Sequence, residues 1–205
     1  FLWKTQRDVD GLAFPSEYLR IDPLDGGVHS QVPLVLEQAP ARTLKDYEDA
    51  IERLYAVPVL VDQNIALLQA GLDRHITQPK IALRDIPAQI DRILNTQPSQ
   101  SVLLDLFKNF PAGIAPADRE RLRRRAAAEV DGIVYPAFRK YRDFLATKYI
   151  PNCRDSIALS DLPDGAAWYR YRLRVQTTTT LTPEEIHAIG LREVARIRAE
   201  MDKTI

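Results

Sequence analysis

The chain is predicted to be all-α, with at most a short edge strand near 176–180, and three stretches carry that reading. Thr182-Pro183-Glu184-Glu185 combines a capping hydroxyl, a proline at the first helical position and a carboxylate three residues on, which together mark a helix N-terminus. After it, Ile186, Ile189, Gly190, Val194, Ile197 and Met201 return at steps of three and four, the spacing of one helix face. Leu122, Ala126, Val130, Ile133, Ala137, Tyr141, Phe144 and Leu145 keep the same phase through a long run at 116–149. The segment 43–72 contains two shorter stripes on either side of Pro58, the pattern of an antiparallel helical hairpin.

Residues 1–42 hold prolines at 15, 23, 33 and 40 and the pair Gly26-Gly27, so a loop-rich N-terminal segment with short helices is expected there. The helical domain is expected over 43–205. Thr43 caps a first helix at 43–56 with Asp46 at the third position, and Tyr47, Ile51 and Leu54 face inward. A second helix covers 59–73 through Val61, Ile65, Leu68 and Leu72, with Gly71 at its fraying end. A third covers 80–95, where Pro87 must kink or restart it, and a short fourth covers 101–108.

The long run at 116–149 should bend at Pro136 without breaking, because Gly132 stands where the proline ring meets the carbonyl four residues back. Residues 168–175 fit either period, whereas the four β-branched residues Thr177–Thr180 are the best strand candidate. The helix that begins at Thr182 is predicted to run to Ile205 without a stop signal, so the helical domain reads as incomplete at its C-terminus.

Charge and composition exclude several classes. Twenty-eight basic and 28 acidic residues balance, so no global field draws the chain to nucleic acid or an anionic membrane. The basic run Arg119–Arg125 has no aromatic neighbours and reads as a solvated helix face, with nucleic-acid binding as the competing reading. The single cysteine, Cys153, excludes an internal disulfide and a multi-cysteine zinc cluster. No apolar run is long enough to span a bilayer. Phe1-Leu2-Trp3-Lys4 has neither an initiator methionine nor a signal-peptide pattern, which leaves room for a removed targeting segment and leaves localisation unread.

The three histidines, His29, His75 and His187, never take the i, i+4 spacing of a helical zinc site. No metal ligand and no catalytic residue is therefore assigned in this chain. Ser residues lack a nucleophile elbow, and Cys153 has no adjacent histidine. Two residues remain as substrate-cleft candidates. His187 lies beside the apolar face of the last helix, where it either reaches a groove or makes a hydrogen bond at a packing edge. Glu193 falls within that face, and a carboxylate there needs a partner; Arg196, three residues on, supplies one for an ion pair, with substrate binding as the other reading.

Three segments, DYEDAIERLYAVPVLVDQNIALLQAGL, VYPAFRKYRDFLATKYIPNCRDS and LPDGAAWYRYRLRVQTTTTLTPEEIHAIGLREVARIRAEM, resemble in this order the bacterial family called domain of unknown function 885. The resemblance runs from about Ile21 onward and is most specific in TTTTLTPEEIHAIGL; Ile157-Ala158-Leu159 departs from it, since members usually carry a glycine there. It implies zinc peptidases of the gluzincin type within a larger helical zincin-like architecture. Their zinc motif, an H-E-x-x-H-like sequence with Pro-Gly-His-His, lies downstream of the counterpart of Met201. By this resemblance the chain is the N-terminal helical portion of such a peptidase, one wall of a cleft. Its partners are the missing C-terminal part and, in the parent, a peptide substrate; no cofactor is held by this chain, and zinc belongs to the full-length parent. No catalytic residue of the family maps onto a position here. The alternative is a non-enzymatic helical scaffold or protein-interaction domain.

Overall fold

In a computed structural model, which describes residues 2–22 and 26–204, every element is helical and the described residues form no strand. By their contacts the residues group into a larger unit, Ser16–Ile157, and a smaller one made of Phe1–Pro15 and Ala158–Ile205. Pro23, one of the prolines that suggested loop in the first 42 residues, lies outside the described residues.

In the larger unit, α2 (Val28–Glu37) forms despite the internal Pro33, because the buried side chains Val28, His29, Val32 and Leu36 hold it against the core. Helix α3 (Leu44–Tyr55) begins as its sequence predicts. The Thr43 Oγ1 accepts from Asp46 N–H at 3.3 Å, and Asp46 Oδ2 accepts from Thr43 N–H at 2.8 Å. Helix α4 (Val57–Asp73) follows at once, with Pro58 in its first turn. Gly71 does not mark a frayed end. It is buried inside α4, where an added Cβ would stand 2.7 Å from the Ile76 carbonyl oxygen and 3.1 Å from Tyr18 Cβ.

The helix expected over 80–95 is divided into α5 (Lys80–Leu83) and α6 (Ile86–Leu94). Pro87 restarts it, since in the first turn of α6 its missing N–H costs no intrahelical bond. The expected fourth helix is a 3₁₀ segment, Val102–Phe107. Helix α7 (Pro116–Glu129) runs into a π turn at Val130–Val134, then α8 (Tyr135–Phe144), then a second π turn at Leu145–Tyr149. The helix is thus unbroken at Pro136. In the π turn the Tyr135 N–H reaches back five residues to the Val130 carbonyl, which changes the backbone alignment just ahead of the proline.

This long helix is the spine of the larger core. Leu122, Ala126, Val130, Val134, Phe138, Tyr141, Leu145 and Tyr149 are all buried along it. Two core tyrosines anchor loops: Tyr47 donates its hydroxyl proton to the Asn109 carbonyl at 3.1 Å and Tyr135 to the Thr96 carbonyl at 2.9 Å.

The basic run does more than face solvent. Arg119 Nε donates to the Ile114 carbonyl at 2.7 Å and Arg123 Nε to the Phe107 carbonyl at 3.0 Å. Arg121 and Arg125 pair with Glu48 and Glu52 of α3 at 3.1 and 2.7 Å. These guanidinium groups tie α7 to its neighbours, a use that only tertiary structure discloses.

The smaller unit packs α1 (Leu2–Gly11) against α9 (Gly165–Thr177). Phe14 stacks on Trp168 with centroids 5.7 Å apart and lies 5.1 Å from the Tyr171 ring, whose hydroxyl donates to the Arg7 carbonyl at 3.0 Å. Residues 168–175 are therefore helical, and the strand candidate is not a strand. Thr177 ends α9 with its hydroxyl on the Leu173 carbonyl at 2.8 Å, and Thr178 turns into the left-handed region at φ +55°. Hydroxyl-to-backbone bonds compete with extended pairing, and no strand lies among the described residues to pair with. Last comes α10 (Pro183–Met201), which gives way to a turn at 202–204 instead of running on to the expected end at Ile205, a residue outside the described ones.

Candidate functional site

Helix α10 is built from local signals. Glu185 N–H donates to Thr182 Oγ1 at 3.2 Å and Thr182 N–H to Glu185 Oε2 at 2.7 Å, a reciprocal cap that fixes where the helix starts. Tertiary burial contributes little, for none of its described residues is buried. Ile189, Val194, Ile197 and Met201 stand 38, 48, 45 and 57 % exposed, and Ile186 is half-buried. The apolar row read from the sequence is thus open along most of its length.

Both cleft candidates sit on this helix, and both are exposed. They are not brought together. Six residues of α-helix separate side chains by about 120° around the axis and about 9 Å along it. Glu193 lies in the apolar row, where Arg196 reaches it at 2.8 Å while also holding Glu200 at 2.8 Å. The ion-pair reading of Glu193 is the arrangement seen. His187 lies at the edge of the row.

A cavity of about 590 Å³ lies elsewhere in the smaller unit, lined from α1, α9 and the threonine turn. Its apolar wall includes Phe14, Ala167 and Leu181, and its polar wall includes Asp10, Arg170, Arg174 and Thr180. Arg174 pairs with Asp10. Among the described residues Arg170 has no such partner and is exposed. The sequence reading missed this cavity because its wall is assembled from residues some 160 positions apart, such as Asp10 and Arg174, joined by one ion pair. The alternating arginines of WYRYRLR held a signal: in a helix Arg170 and Arg174 stand one turn apart on one face.

In the larger unit a second cavity, of about 500 Å³, is apolar and lined from α2, α3 and α4 by Val32, Val35, Leu54, Val57 and Leu60. Cys153 offers no nucleophile there. It is buried, and burial pushes its thiol up to about 11. Among the described residues no group of three or more His, Cys, Asp or Glu side chains could hold a metal ion. The described residues therefore do not fit a zinc site.

The described chain is thus all-helical, and its candidate surfaces are an open helix face and two cavities. It belongs to the family described as bacterial proteins of unknown function, DUF885, whose profile matches residues 4–205. Among solved structures it is similar to a protein of Colwellia psychrerythraea described as a putative lipoprotein, at 22 % identity and a TM-score of 0.80, over 90 % of this chain and 32 % of that one. That likeness shows the fold. The chain spans about a third of the length of that protein, 32 %. Among curated proteins no match was found. No helix among the described residues is long and apolar enough to cross a membrane.

Proposed function

We propose that this chain is the N-terminal helical portion of a zinc-dependent peptidase, in which α10 forms one wall of the substrate cleft. The zinc, its ligands and the general base then belong to the polypeptide that follows. The observation that carries the reading is the open apolar row of α10, a helix with a reciprocal N-terminal cap that nonetheless buries none of its described side chains. An amphipathic helix gains most of its stability from covering such a face. The family resemblance and the threefold greater length of the Colwellia protein support a covering partner in the same polypeptide. In this reading Ile189, Val194 and Ile197 pack against that following segment, while His187, at the edge of the row, faces the cleft.

The experiment assays a peptide library against the longer polypeptide and against its His187→Ala and Glu193→Gln variants. Glu193→Gln releases Arg196 from one of its two carboxylates, so turnover is expected to fall with the fold intact. Unchanged activity and stability in both variants would show that this side of α10 does not face the cleft.

A further inference from the structure

We propose that the cavity of the smaller unit is a binding site for a carboxylate attached to a short apolar body, such as a peptide C-terminus or a fatty acid. The proposal does not rest on the peptidase reading, because every residue it uses lies within one unit of this chain. At about 590 Å³ the cavity is of the size that takes small molecules.

Charge selects the ligand. Two guanidinium groups, Arg170 and Arg174, and one carboxylate, Asp10, line the cavity, which leaves one positive charge in excess. Asp10 already neutralises Arg174. Arg170 has no ion pair or hydrogen bond among the described residues, so its planar fork of donors is open to a monoanion. A doubly charged phosphate would exceed the free charge and meet the Asp10 carboxylate. The Thr180 hydroxyl, likewise without a hydrogen bond among the described residues, adds a second donor in the same wall.

The rest of the cavity suits an apolar body. Phe14 is held in place by Trp168 and Tyr171 at 5.7 and 5.1 Å, so that wall is set before any ligand arrives. Leu181, 40 % exposed, faces the cavity from the turn that Thr178 makes at φ +55°. That turn is ordered by its own hydroxyls: Thr177 Oγ1 and Thr179 Oγ1 lie 3.0 Å apart, and Leu181 N–H donates to Thr179 Oγ1 at 3.4 Å. The four-threonine motif, unexplained as a strand, thereby acquires a role in shaping the cavity.

The test is calorimetric titration of the 205-residue chain with octanoate, octanol, N-acetyl-leucyl-leucine and the C-terminal amide of that dipeptide. At least one carboxylate is expected to bind saturably, and its neutral counterpart about tenfold or more weaker, as befits loss of a charge-assisted bidentate pair. The carboxylate that binds tighter identifies the source. Arg170→Gln should erase the preference for acid over neutral ligand, Arg170→Lys should keep part of it, and Arg124→Gln, on exposed α7 surface, should leave it unchanged. Equal affinity for acid and neutral ligand, no saturable binding of either carboxylate, or full affinity in Arg170→Gln would overturn the proposal. Should Arg170→Gln misfold by circular dichroism, the comparison of acid with neutral ligand on the unsubstituted chain still decides.

Discussion

The same substitution, glycine to alanine, should act with opposite sign at two helical positions of this chain. Alanine in a helix interior is favoured over glycine by about 1 kcal/mol. At Gly190, within α10, an added Cβ would meet nothing within 4 Å, so Gly190→Ala should keep most of that gain, roughly 0.5–1 kcal/mol. At Gly71, within α4, the same methyl would stand 2.7 Å from the Ile76 carbonyl oxygen and 3.1 Å from Tyr18 Cβ. Both neighbours are held: Ile76 N–H donates to the Gly71 carbonyl at 2.8 Å, and the Arg74 guanidinium lies 5.2 Å above the Tyr18 ring. Forcing them apart costs about 1–3 kcal/mol, which offsets or exceeds the helical gain and leaves Gly71→Ala destabilising. Urea unfolding followed by circular dichroism measures the larger unit, and hydrogen exchange of the α10 amides measures the local effect at Gly190. Shifts of the same sign at both positions would refute the reasoning, because intrinsic propensity would then outweigh packing at Gly71.

Four further outcomes follow from buried groups. His29 is held below its ordinary value of 6.5 because burial outweighs its hydrogen bond with Gln89; the unfolded chain therefore takes up a proton that the folded chain refuses. Stability should fall as pH drops from about 6.5 toward the lower folded-state value and be fully present above it, and His29→Gln should flatten that part of a urea-midpoint profile. Tyr47→Phe, which removes the bond to the Asn109 carbonyl at 3.1 Å, should cost about 1 kcal/mol in chemical denaturation. Tyr141→Phe, which removes a buried hydroxyl that has no hydrogen-bond partner among the described residues, should cost nothing or stabilise. Cys153, 4 % exposed with its thiol raised to about 11, should resist a disulfide reagent at pH 8 in the native chain and react on unfolding.

The parts of the fold legible in the sequence are those set by neighbours a few residues away. Thr43 with Asp46, and Thr182 with Glu185, announce their helices because a reciprocal cap is a purely local device. Helix α2 was hidden by Pro33, whose lost bond is outweighed by buried side chains that no local pattern reveals. The π turn ahead of Pro136 escaped notice because periodicity registers a helix but not the one-residue insertion inside it. Thr177–Thr180 misled for a related reason. Their β-branched side chains favour extension only where a partner strand waits, and here their hydroxyls bond locally instead. As for the candidate surfaces, the apolar row of α10 was fully legible, and the pairing of Glu193 with Arg196 was one of its two readings. The cavity of the smaller unit was not, since Asp10 and Phe14 reach α9 only through the folded chain.

The proposed division of labour, with this chain as wall and the following polypeptide as catalyst, is tested most directly by peptide hydrolysis with and without added zinc. The 205-residue chain and the longer polypeptide proposed to contain it are to be assayed side by side. The account expects zinc-dependent turnover from the longer polypeptide, abolished by chelation and restored by zinc, and none from the 205-residue chain under either condition. Zinc-dependent turnover by the 205-residue chain alone would contradict it.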